Sequence, residues 1–182
     1  MPVRLFLVGL ALLLSLCGCA TKPSFLTPKR TTPSSDRVEL PTSEQLGLLF
    51  IDVFINGHGP FHLLVDTGAD GLVLPLGIAR ECGLQTMGYV TVEGYFETHQ
   101  SKVMKANSLK SGGFELEQVN IMVVDDALLE PTRLAMPQFE GIIGMAAFTD
   151  VLLELDFKER KVALINRETF TSVPETKAIS YI

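Results

Sequence analysis

The sequence has no tryptophan, three cysteines, three histidines and no run of basic residues anywhere along its 182 positions. Each shortage narrows the range of functions. A phosphate-binding surface needs clustered Lys and Arg, whereas here 15 basic residues face 21 acidic ones for a formal charge of −6. Nucleic acid is therefore not an expected partner. His58, His62 and His99 are scattered, without the His, Cys or carboxylate neighbours at ligand spacing that a metal site wants, so no metal is expected. Gly-x-Ser-x-Gly, His-Glu-x-x-His and a phosphate loop are all missing, which leaves serine-hydrolase, zinc-protease and nucleotide chemistry without a foothold. No cofactor is expected.

What is present begins at the N-terminus. The single cation Arg4 precedes the apolar stretch from Leu5 to Leu16, the charge and hydropathy pattern of a secretory signal. The stretch is shorter than the roughly 20 apolar residues of a membrane span. It runs into Leu16-Cys17-Gly18-Cys19-Ala20. These residues resemble the bacterial lipobox, with Leu16 three positions before Cys19 and Gly18 directly before it. Cys17, preceded by Leu16, fits less well. An ordinary signal peptide with incidental cysteines is the plainer alternative. The resemblance implies that residues 1–18 are a lipoprotein signal peptide and that Cys19 is lipidated. It also implies a place in the bacterial cell envelope, with Ala20 favouring the outer membrane and its periplasmic face. Residues 19–41, rich in Pro, Ser and Thr, then read as a tether between lipid and folded domain. Cys82 is the one thiol left, in an apolar setting that suggests packing rather than nucleophilic chemistry.

From Leu48 onward the character changes to short apolar runs with β-branching, punctuated by many of the 15 Gly and 10 Pro residues. The pattern predicts one mainly β domain over residues 42–167, with one or two short helices near 76–82 and 145–148 and a loose tail at 168–182. Lys158–Arg160 reads as a hairpin turn between two strands. Asp125-Asp126 reads as a strand-end turn, and Asp156 as a turn acid. Residues 127–140, interrupted by Pro131 and Pro137, read as a surface loop.

The sharpest feature is Leu64-Val65-Asp66-Thr67-Gly68-Ala69-Asp70. An apolar strand delivers an acid onto a turn where Gly permits close backbone approach and the Thr hydroxyl can bond across. Small neighbours leave room for a substrate backbone. Ile142-Ile143-Gly144 follows some seventy-five residues later, before a short helical stretch. With a hairpin at about 88–104 between them, these elements resemble the retropepsin-type aspartic proteases over about 46–166. The resemblance implies an acid-protease fold, a closed or partly open β-barrel, in which Asp66 is the catalytic carboxylate. Thr67 and Gly68 would support it, and Ala69 and Asp70 would contact substrate. No second Asp-Thr-Gly or Asp-Ser-Gly exists in the chain, so a homodimer acting on a peptide or protein substrate is implied.

Two positions depart from the retroviral pattern. Met145 stands where an Arg follows the later Gly, and the hairpin tip carries Gly94 beside Tyr95-Phe96 rather than a glycine-rich run. The sequence is thus also compatible with a lipoprotein that keeps the fold as a peptide-binding or assembly module without turnover.

Overall fold

The computed structural model of the chain describes residues 29–31, 35–93 and 98–170. The signal segment, Cys19, most of the tether, the hairpin tip at 94–97 and residues 171–182 lie outside the described residues.

In chain order the strands begin with β1 (Lys29–Thr31), β2 (Arg37–Leu40), β3 (Thr42–Gln45), β4 (Leu48–Ile55), β5 (His58–Val65) and β6 (Leu72–Pro75). Helix α1 (Leu76–Glu81) is followed by β7 (Gln85–Glu93), β8 (Thr98–Ser111) and β9 (Phe114–Val124). Helix α2 (Asp126–Ala135), β10 (Gly141–Ile143), a 3-10 turn (Met145–Phe148), β11 (Val151–Asp156) and β12 (Lys161–Asn166) complete the described chain. The fold is mainly β, as the sequence predicts.

A barrel results because β9 pairs with both β6 and β8, closing the path β9-β6-β10-β5-β4-β8 on itself. The β4–β5 hairpin turns at Asn56-Gly57, whose φ angles of 51° and 85° are the left-handed pair that Asn-Gly adopts at little cost. The Asn56 side chain then fastens the corner. Its amide donates to the Cys82 carbonyl, and its Oδ1 accepts from the backbone N–H groups of Asn107 and Ser108. Phe114 and Leu116 on β9, Ile51 and Val53 on β4 and Leu63 on β5 are among the side chains that fill the main core. Cys82 is buried there too, as a packing thiol. The β7–β8 pair forms the long hairpin expected at about 88–104.

Two segments differ from their sequence reading. Residues 126–135 are helical rather than loop. Asp125 caps the helix by accepting from the N–H of Ala127 at 3.0 Å, and burial of Leu129 and Thr132 outweighs the hydrogen bond that Pro131 cannot make. Upstream, β1 and β2 fall inside the stretch expected to be tether. Strand β2 pairs with β12, which pairs with β11, in a separate three-stranded sheet. Val38 and Leu40 on β2 enter the main core, so the folded chain reaches back to at least Arg37.

Candidate active site

Strands β5 and β10 lie side by side and parallel, with Leu64 opposite Ile142 and Val65 opposite Ile143. The two motifs, distant in sequence, therefore end at the same level. Asp66 emerges from β5 just where Gly144 emerges from β10. Its backbone N–H donates to the Ile143 carbonyl at 3.2 Å, carrying the ladder one residue past the strand.

The turn beyond is fixed by short hydrogen bonds. Asp66 Oδ1 accepts from the Gly68 N–H at 2.8 Å, and the Asp66 carbonyl accepts from the Ala69 N–H at 3.2 Å. On the far side, the N–H groups of Met145 and Ala146 donate to the carbonyls of Ala69 and Asp70 at 2.8 and 2.7 Å. The 3-10 turn after Gly144 thus buttresses the Asp66 turn through backbone alone. Such contact requires the absence of a side chain. A Cβ at Gly144 would lie 2.5 Å from the carbonyl oxygens of both Ala69 and Gly71.

Of the expected site residues, Asp66 is half-buried, Thr67, Gly68 and Asp70 are exposed, and Ala69 is buried. The carboxylate is presented at the surface of a single copy rather than sealed within it. Met145 uses its backbone to hold the turn while its side chain is exposed, so no cation at this position stands beside Asp70. The backbone donors of Met145 and Ala146 were not among the residues that sequence reasoning singled out. Their signal was the short stretch directly after Ile142-Ile143-Gly144.

Further along the same strands, His62 Nδ1 lies 2.8 Å from Asp52 Oδ1, and Glu140 Oε2 accepts from the His62 N–H at 2.7 Å. Neither of these two hydrogen bonds involves Asp66. His58 opens β5 and is exposed. The side chain of His99 is outside the described residues.

Residues 51–147, which contain both motifs, match the aspartyl protease family. The chain belongs to that family. The matched segment runs from β4 to the 3-10 turn and so includes the whole of the parallel β5–β10 contact. Its fold resembles that of a retropepsin-like aspartic protease from Rickettsia conorii, with a TM-score of 0.50 and 18% identity over 70% of this chain and 89% of that one. The retropepsin-like fold is thereby established, with Asp66 on the turn that the family match spans.

Proposed function

We propose that the protein is an aspartic endopeptidase that works as a homodimer, held in the bacterial envelope by a lipid on Cys19. The observation that carries this reading is a single Asp-Thr-Gly acid, half-buried beside the exposed Thr67 and Gly68, on a turn clamped by Ile143, Met145 and Ala146. One carboxylate cannot serve as acid and base together. Two of them about 3 Å apart cannot both ionise, so a pair related by two-fold symmetry holds one proton. The ionised member takes a proton from a water, which attacks the peptide carbonyl. The protonated member polarises that carbonyl and then supplies a proton to the leaving nitrogen.

Thr67 and Gly68 are exposed next to the acid, where the partner copy and the substrate backbone would meet them. Tethering two copies to one membrane surface raises their effective concentration, so a weak dimer suffices. Asp66→Asn tests the reading. Removing the ionisable group is expected to lower peptide cleavage by at least about 10²–10⁴-fold while secondary structure and dimer mass stay as in the wild type. Undiminished cleavage by the variant rules the proposal out.

The exposed Met145 beside Asp70 favours one second reading, a peptide-binding module without turnover. That reading predicts peptide binding with no cleavage by the wild-type dimer from acidic to neutral pH.

A further inference from the structure

Helix α2 presents three distinct faces. At about 100° per residue, Leu134, Ala127, Pro131, Ala135 and Leu128 fall within one sector of about 120°. Leu129 and Thr132 occupy a second sector and are buried, Leu129 in the cluster that holds Phe50 and Leu64 of the sheet. The third contains Asp126, Arg133 and Glu130. Asp126 pairs there with Arg133 at 3.4 Å and accepts from the Gly77 N–H at 2.8 Å. The first sector carries no charge, yet it is turned to solvent. Leu128 is 61% exposed and Leu134 77%, the largest exposure of any bulky apolar side chain among the described residues. Ala127 and Pro131 are exposed as well. An apolar stripe of this width ordinarily faces a core. Where one faces water instead, it marks a contact surface.

The direction of the N-terminal chain bears on what that surface meets. Strand β1 pairs antiparallel with β9, Lys29 opposite Glu117 and Thr31 opposite Glu115. Strand β9 runs toward α2, so the chain enters β1 from the side of the barrel where α2 begins. Asp126 lies nine residues after Glu117, roughly 30 Å at the rise of a strand. Cys19 lies ten residues before Lys29, a reach of at most about 33–36 Å. The two lengths match. A lipid on Cys19 can therefore enter a bilayer at the level of α2.

We infer that the outward face of α2 rests on the lipid bilayer to which the chain is anchored. The inference rests on the reading of Cys19 as the lipidated residue. Five side chains are far fewer than the roughly 20–30 residues a side of a stable protein interface. A bilayer asks less, because a tether holds the face at high effective concentration and a weak contact then suffices. The helix lies on the surface rather than crossing it. No helix among the described residues is long and apolar enough to span a membrane. Asp126 and Arg133 neutralise each other and Glu130 is the one other charge of the helix, so the contact is apolar rather than electrostatic. Docking also points the same end of every copy at the membrane. Two copies then meet already related by rotation about the bilayer normal.

The test exploits the absence of tryptophan from the chain. Full-length protein carrying Leu134→Trp is purified from membranes and placed in phosphatidylcholine vesicles whose acyl chains are brominated near the headgroup. Phe157→Trp, between β11 and β12 where Phe157 is 61% exposed, is the reference. A helix lying on a bilayer buries its apolar face about 5–10 Å into the headgroup and acyl boundary, within reach of the bromines. Emission of Leu134→Trp is therefore expected to be quenched at least about twofold more strongly than that of Phe157→Trp. Equal quenching of the two in a membrane-bound chain removes this inference alone. So does loss of dimer mass or of soluble-peptide cleavage in a folded Leu128→Ser/Leu134→Ser variant, which would assign the face to a second copy or to substrate. Wild type recovered from cells in the soluble fraction removes the anchoring reading itself, and this inference with it. Should Leu134→Trp fail to fold by thermal melting, Leu128→Trp decides by the same comparison.

Discussion

The carbonyl oxygen of Ala69 stands where it would meet a Cβ at position 144 at 2.5 Å, so the Asp66 turn closes on β10 only because residue 144 is Gly. The Gly71 carbonyl is equally close. Both obstacles are backbone, which cannot swing aside as a side chain can.

Gly144→Ala is therefore expected to force the turn and the strand apart. Overpacking of this kind costs about 1–3 kcal/mol. Gly68→Ala offers the contrast, since a Cβ there would meet only Asp66 Oδ1, at 3.2 Å. Urea denaturation should show a clear loss of stability for the first variant and little for the second. Cleavage should fall in both, because each displaces Asp66. Equal stability losses in the two variants would contradict the geometric account.

The Asp66 turn and the Ile142-Ile143-Gly144 strand were legible in the sequence because each is a contiguous run of chemically distinctive residues. Their contact is set by parallel register, which no local pattern displays, and the buttressing N–H groups of Met145 and Ala146 are donors that any non-proline residue would supply. Helix α2 was hidden by Pro131 and Pro137, which read as breakers. It forms because Asp125 caps it and because Leu129 finds partners in a distant sheet. Strand β2 was hidden because Val38 and Leu40 are only two apolar residues in a polar stretch, too few to show a period. The Asp52–His62 pair belongs to the same class, joined by a cross-strand register between residues ten positions apart.

Burial, with Glu81 adding to it, pushes the Cys82 thiol from its ordinary 9.0 up to about 11. Above about pH 9 the unfolded chain loses this proton while the folded chain keeps it. Stability should then fall as pH rises from 9.0 toward about 11. Denaturation midpoints measured across that window should decline with a steeper slope for wild type than for Cys82→Ala. Identical slopes would show that the thiol is not held protonated by burial.

The proposed lipid on Cys19 makes a prediction in cells. Cys19→Ala should move the protein from the membrane fraction to the soluble fraction and abolish labelling by a radioactive fatty acid. Cys17→Ala should leave both unchanged. Labelling that survives the first substitution and disappears with the second would move the anchor to Cys17.

Proton sharing between two copies of Asp66 is the central claim, and a dilution series of residues 20–182 tests it most directly. Dimer fraction by mass and cleavage per chain are measured on the same samples. Activity per chain is expected to track the dimer fraction and vanish with it. Full activity per chain in samples that contain only monomer would contradict the account.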